Sequence, residues 1–268
     1  MLRLDTLSPH ETGYWNEIGG TWTEQHPDRL WRAHSDAVYS ALVARWLPAA
    51  RPQRVLKTDL FDEAVAEGIY PIVHERADSV VGFDLAPRVA EAACGRYPEL
   101  QGIVADARHL PFHDGAFDIV ISLSTLDHFP QRDDIGRALL QVHRVLTPGG
   151  ILIITLDNAS NPLVALRNRL PHRLLHSLGL VPYRMGATCT SGDFAALLRA
   201  CNFEVDEVDF VVHCPRLIAV LAARLIDRTT SRTARMRFLR LLGRCERLAR
   251  WPTRAITGYY TAALARRQ

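Results

Sequence analysis

The stretch Ser79-Val-Val-Gly-Phe-Asp84-Leu-Ala-Pro87 reads as a short apolar strand that ends on an acid, with a proline placed to start the next helix. Upstream, Arg54–Lys57 is another apolar run, and a helical stretch from Asp62 to Glu75 separates the two. Downstream, Gly102–Ala105, Phe117–Leu123 and Ile151–Leu156 read as three further strands. The helix begun by Pro87 is closed by Gly95 and Pro98. A second helix, Arg132–Leu146, is stopped by Pro148-Gly149-Gly150. Near-continuous apolar strands that alternate with helices predict a parallel sheet covered on both faces.

The flanks are more helical. From Leu2 to about Leu47, Trp31, Val38, Ala41, Leu42 and Trp46 share one helical face until Pro48 and Pro52 intervene. After the fifth strand, a helical stretch is expected around Leu163–Leu180, broken by Pro171. A helix over Ser191–Ala200 follows, with Asn202 as its left-handed cap. Phe203–His213 reads as a strand, Pro215–Trp251 as a basic helical region, and Gly258–Leu264 as one last strand. The expected division is a lid segment over 1–50 and a core over 51–214 with a helical insertion at about 158–187. A basic helical insertion over 215–256 and the final core strand over 257–268 complete it.

Of 268 residues, 48% are hydrophobic and 23% charged, which excludes a mostly disordered chain. No apolar run approaches the roughly 18–20 residues of a membrane-spanning helix. Met1-Leu-Arg-Leu-Asp5 lacks the pattern of a signal peptide, so the expected compartment is the cytoplasm. Five cysteines without a CxxC pair support neither a zinc site nor a disulfide framework, and no metal is expected. The charge is unevenly spread. Pro215–Gln268 carries 13 Arg against Asp227 and Glu246, whereas the rest of the chain is net acidic. Lys57 is the sole lysine.

Ligands of open parallel sheets bind beyond the carboxyl ends of the strands. That rule selects Lys57–Glu63, Asp84, Asp106 and Leu123–His128. A carboxylate at Asp84 can accept hydrogen bonds from both hydroxyls of a ribose, or it can cap the following helix. Asp106 can accept from an adenine amino group, with a backbone N–H from Ala107 beside it, or it can simply form a turn.

Four segments, in this order and spacing, resemble the class I S-adenosylmethionine-dependent methyltransferase family. They are Val80-Val-Gly-Phe-Asp84-Leu-Ala-Pro87, Val104-Ala-Asp106-Ala-Arg-His-Leu-Pro-Phe112, Phe117-Asp-Ile-Val-Ile-Ser-Leu-Ser-Thr-Leu-Asp-His128-Phe and Val145-Leu-Thr-Pro-Gly-Gly150-Ile-Leu. The resemblance spans about 53–213. It implies an α/β, doubly wound, mostly parallel seven-stranded Rossmann-like sheet whose last strand is antiparallel. It also implies S-adenosylmethionine as cofactor and S-adenosylhomocysteine as product. The positions it assigns to cofactor binding are Lys57, Thr58, Asp59, Asp84, Leu85, Asp106, Ala107 and Leu123.

The first-strand motif departs from the family, which has an acid followed by three glycines at alternate positions. Here Lys57 stands in the acid's place, and Asp59, Phe61 and Glu63 in those of the glycines. Side chains there narrow the approach of backbone to ligand. A rearranged loop that still binds, a vestigial site and a different ligand are the three outcomes. In the first, Asp59, Asp62 and Glu63 offer carboxylates to the cofactor's ammonium and sulfonium, and Lys57 or Thr58 meets its carboxylate.

His128 follows the fourth strand, where the resemblance puts groups facing the transferred methyl. It is the candidate general base, or a pocket-lining imidazole without a chemical role. Asp127 beside it and His34 on the N-terminal segment are candidate acceptor contacts. Tyr14, Trp15, Trp22 and Trp31 on that segment are expected to lid the cofactor or to pack on the sheet, and Asp36, like His34, is a candidate for a polar contact within the site. In 235–250, Phe238, Leu241, Leu242, Cys245 and Leu248 form an apolar stripe and Arg237, Arg240, Arg244 and Arg247 a basic one. That helix is a solvated lid, a site where Arg240 and Arg244 meet a phosphorylated or lipid-linked acceptor, or a contact with an anionic membrane. Nucleic acid ranks last, since no aromatic-lined basic groove is evident. The expected function is methyl transfer, at oxygen, to a small or carrier-linked metabolite of secondary metabolism or of a glycan or lipid precursor. The alternative is a fold of this type that has lost methyl transfer and serves as a binding protein or another catalyst.

Overall fold

Seven runs rich in β-branched and apolar residues pair into one sheet in the computed structural model, which describes residues 8–25, 28–50, 54–171, 175, 181, 183–228 and 231–268. The strands are β1 (Arg54–Thr58), β2 (Ser79–Asp84), β3 (Gln101–Val104), β4 (Phe117–Leu123), β5 (Leu146–Asp157), β6 (Phe203–Val211) and β7 (Tyr260–Arg267). Their order is β3-β2-β1-β4-β5-β7-β6. The first five are parallel to their neighbours, and β7 runs antiparallel between β5 and β6. This is the mostly parallel, doubly wound sheet expected from the sequence.

Side chains alternate across each strand, so neighbours in sequence feed opposite layers. Val55, Val80, Ile119, Ile121 and Ile153 pack with α1 (Pro9–Gln25), α2 (Arg29–Trp46), α4 (Tyr70–His74) and α5 (Pro87–Arg96). Leu56, Val81, Val120, Leu152 and Ile154 pack with α6 (Arg132–Val145) and the helix Ser191–Ala200. Among the described residues the other helices include α3 (Phe61–Val65), α7 (Pro162–Arg169), α8 (that same Ser191–Ala200), α9 (Arg216–Asp227), α10 (Arg232–Cys245) and α11 (Arg254–Thr257). One-turn 3₁₀ segments lie at Leu126–His128 and, slightly longer, at Glu246–Arg250.

Several expected helices are divided. The N-terminal segment forms two, with Asp28 left-handed (φ 60°) ahead of α2. Its first residues, 1–7, lie outside the described residues. The stretch expected over 62–75 splits at Gly68, whose φ of +63° a side-chain-bearing residue adopts only with strain. The buried Glu63 carboxylate then accepts from Ile69 N–H (3.0 Å) and Tyr70 N–H (3.2 Å), which caps α4. β5 begins at Leu146 rather than Ile151, with Pro148-Gly149-Gly150 in the register shift between the pairs Leu146–Phe117 and Ile151–Ile119. The helix expected to Leu180 is described only as α7, because 172–174 and 176–180 fall outside the described residues.

α1 crosses α5 at Gly19, where an added Cβ would stand 2.3 Å from Val89 Cγ2. Gly19→Leu is therefore expected to lift α1 while leaving the sheet intact. Chymotryptic cleavage after Tyr14 and Trp15 should accelerate with little change in the core's melting temperature; an unchanged cleavage rate would show that the helix pair absorbs the bulk.

Candidate ligand cleft

The winding reverses between β1 and β4, from which successive strands run to opposite edges of the sheet. A cleft opens beyond their carboxyl ends, the place the topology assigns to a ligand. It encloses about 1270 Å³ of empty space, open mouth included. Asp59, Asp84, Leu85, Asp106, Ala107, Leu123 and His128 all line it.

The loop after β1 explains how a chain without the glycines makes this turn. Asp59 takes φ +78°, a left-handed conformation that aspartate tolerates better than most residues, and its Oδ1 accepts from Phe61 N–H (2.7 Å). Lys57 turns away from the cleft. Its ammonium pairs with Glu63 Oε2 at 2.8 Å and donates to the Asp59 carbonyl. Both partners are buried, Glu63 fully. Burial alone would lower the lysine's pKa, but Glu63, Asp59 and Asp62 more than offset it and hold the cation. Lys57 thus braces the loop from beneath and does not face a ligand. Thr58 is likewise turned inward, donating to Ser122 Oγ (2.8 Å) beside Thr125.

Asp84 closes β2 with its carboxyl oxygens accepting from Leu60 N–H (3.0 Å) and Ala86 N–H (2.8 Å). One acceptor position on each oxygen remains for a ligand. Burial raises its pKa to about 6, against the pull of those two N–H groups. Burial, then the neighbouring Asp84, also holds Asp59 well above the usual carboxylate range. Asp62, in the same wall, pairs with Arg32 at 2.5 Å.

Asp106 lines the cleft but its carboxylate is already saturated. Arg108 Nε reaches both oxygens at 3.0 Å, its Nη2 reaches Oδ2 at 2.6 Å, and its backbone N–H reaches Oδ1 at 2.8 Å. Acceptance from an adenine amino group by this side chain would require displacing the arginine. Arg108 also holds Glu11 of α1 (2.5 Å), which ties the lid helix to the cleft rim.

His128 lies at the end of the short turn after β4. Its ring centroid is 5.0 Å from those of Trp15 and Tyr183. Burial between these rings lowers its pKa to about 4, which Asp157 opposes and Arg216 reinforces, so the imidazole is neutral at pH 7. Asp127 is buried beneath it and does not line the cleft. It accepts from Ser124 Oγ (3.0 Å), and burial followed by Asp157 raises its pKa to about 7.

The remaining acceptor candidates lie elsewhere. His34 is buried with Nε2 3.2 Å from Glu246 Oε1 and 3.6 Å from Cys214 Sγ, outside the cleft lining. Asp36 accepts from Gly68 N–H. Arg240 and Arg244 are exposed on α10 with Arg237, whereas Phe238 and Leu242 are buried, and none of these arginines borders the cleft. The groups that do complete its wall are Trp15, Trp31, Tyr39, Tyr183, Arg216 and Tyr260. Arg216 was signalled by position, since it starts the helix after β6, on the ligand side of a core strand; Tyr260 and Tyr183 carried no comparable signal.

Residues 65–154 match a family described as a methyltransferase domain. Over 113 residues the chain is 39% identical to demethylmenaquinone methyltransferase of Thermus thermophilus, covering 38% of this chain and 46% of that protein. Over 76 residues it is 41% identical to malonyl-[acyl-carrier protein] O-methyltransferase of Geobacter sulfurreducens, covering 27% of each. The chain spans less than half the length of these curated relatives. A solved chain from the complex between the Haloferax volcanii Trm112 methyltransferase activator and a methyltransferase superposes with a TM-score of 0.62. It is 15% identical and covers 92% of this chain and 96% of that one, a likeness of fold.

Proposed function

We propose that this chain, which carries a class I S-adenosylmethionine-dependent methyltransferase domain, moves the methyl group of that cofactor to an oxygen of a small or carrier-linked metabolite. The observation that carries the reading is Asp84, a carboxylate with free acceptor positions at the end of β2, inside the cleft at the reversal of strand order.

The residues present suit the cofactor. Asp59 and Asp84 are two neighbouring carboxyls whose pKa values burial raises. A ligand that brings ribose hydroxyls to one and a cationic amino acid to the other stabilises both ionised forms. Leu85, Ala107 and Leu123 supply apolar wall for a purine. Lys57 is removed from this wall by its pair with Glu63, so its ammonium does not face the sulfonium. When bound, the cofactor supplies an electrophilic methyl group. His128, neutral and hydrogen-bonded by no side chain among the described residues, takes the proton of the attacking hydroxyl. Trp15 and Tyr183 cover the imidazole and exclude water. The relatives' names, one for a quinone-type and one for a carrier-linked acceptor, support a metabolite acceptor.

A cytoplasmic location is part of the reading. All five cysteines are free, as expected in a reducing compartment, and among the described residues no helix is long and apolar enough to cross a membrane.

Asp84→Ala tests the cofactor contact. It removes charge-assisted hydrogen bonds worth about 1.5–3 kcal/mol, so calorimetry should show S-adenosylhomocysteine affinity falling about 10- to 150-fold. The wild type adds a pH signature. Asp84 must ionise to accept both hydroxyls, so binding releases its proton, and affinity should rise as pH climbs through about 6. Undiminished affinity in folded Asp84→Ala would remove this carboxylate from the site. A cleft that takes no S-adenosylmethionine or S-adenosylhomocysteine would favour the alternative, a binding protein on the same fold, to which the altered first motif would then belong.

A further inference from the structure

Arg216 is the one cleft-lining arginine that no carboxylate pairs with among the described residues: Arg32 has Asp62, while Asp157, whose charge acts on Arg216, is held by Arg167 at 2.6 Å. Its guanidinium carbon lies 5.0 Å from the centroid of Tyr259, 5.7 Å from that of Tyr260 and 5.8 Å from that of Trp31. Nη2 donates to Tyr183 Oη at 3.1 Å. Aromatic faces fix the plane of the guanidinium, and the hydroxyls of Tyr183 and Tyr259 take part of its N–H edge, so the cation has neutral partners and no paired carboxylate among the described residues. Tyr183 also touches His128, ring centroid to ring centroid at 5.0 Å. One tyrosine therefore spans the gap between the unpaired cation and the neutral imidazole.

We propose that Arg216 anchors an oxyanion of the acceptor, so that the acceptor is a flat, apolar-bodied compound with a carboxylate or phosphate at one end and its nucleophilic hydroxyl at the other. This rests on the methyltransferase reading for the role of the hydroxyl, while the anion site stands on Arg216 alone. The aromatic walls, Trp15, Trp31, Tyr39, Tyr183 and Tyr260, accept a flat body lying between them. The guanidinium fork meets two oxygens at once, a geometry that an ammonium does not offer. With the anion held at Arg216, the body of the acceptor runs along Tyr183, which touches both Arg216 and His128, and brings its hydroxyl toward the imidazole. The arginines of α10 take no part, since they lie outside the cleft.

The test uses 4-hydroxybenzoate, phenyl phosphate and neutral 4-hydroxybenzamide as probes. Binding is read by quenching of tryptophan fluorescence, with and without S-adenosylhomocysteine. The wild type should bind at least one anion about ten-fold or more tighter than the amide. The carboxylate and phosphate arms tell which oxyanion it prefers. Arg216→Gln should erase the preference without changing S-adenosylhomocysteine affinity. Arg216→Lys, which keeps the charge but not the fork, should retain only part of it, and it serves as the test should the glutamine variant not fold. Equal binding of anions and amide by the wild type, no binding of any probe, or a full preference kept in either variant would overturn the proposal. Absence of S-adenosylhomocysteine binding would instead sink the methyltransferase reading, and the anion arm remains readable without it.

Discussion

Lys57→Met is expected to destabilise the fold by about 3–5 kcal/mol, because it leaves the fully buried Glu63 carboxylate without its cation. The cost arises from the uncompensated charge and not from lost packing, since methionine keeps most of the lysine's apolar stem. The double variant Lys57→Met/Glu63→Gln should recover most of the loss. Its amide oxygen still accepts from Ile69 and Tyr70 N–H, so the cap on α4 survives without a buried charge. Urea titrations of the wild type, the single and the double variant measure this directly. A single variant as stable as the wild type would mean that Lys57 is not the brace of the loop.

His128→Ala is expected to lower turnover about 10²–10⁴-fold, with any acceptor the wild type methylates, and to leave S-adenosylhomocysteine affinity nearly intact. The pH dependence separates this imidazole from an ordinary one. Only its neutral form takes a proton, and burial between Trp15 and Tyr183 puts its pKa at about 4. The acid limb it contributes should therefore lie near pH 4, leaving the rate at saturating substrate free of a histidine-like transition near 6.5. Parallel loss of turnover and cofactor affinity would assign His128 to the shape of the cleft instead.

The sheet was legible because its strands are continuous apolar runs and each is closed by a turn signal or an acid. Asp84 was legible for the same reason: an acid that ends a core strand has one edge of the sheet to occupy. The course of the loop after β1 was not. Whether Lys57 points to a ligand or to Glu63 depends on the backbone between them, and that is set by the left-handed Asp59. Sequence spacing does not carry that information. Asp106 shows a different limit. Its place at the cleft was readable, but the saturation of its carboxylate depends on Arg108 folding back across two residues and reaching on to Glu11. The basic region left several readings open through its abundance of arginine. The arginines of α10 form the conspicuous stripe, yet Phe238 and Leu242 turn that helix so that the stripe faces solvent. Among the described residues of the region, the one that reaches the cleft is Arg216, at the first turn of α9.

The central claim is that the cleft with the altered first motif holds S-adenosylmethionine. Calorimetric titration of the wild type with S-adenosylhomocysteine at pH 7.5 tests it most directly. The account predicts one site per chain with micromolar affinity, weakening as pH falls below about 6, where Asp84 takes up its proton. Absence of saturable binding at pH 7.5 by a folded chain would contradict it.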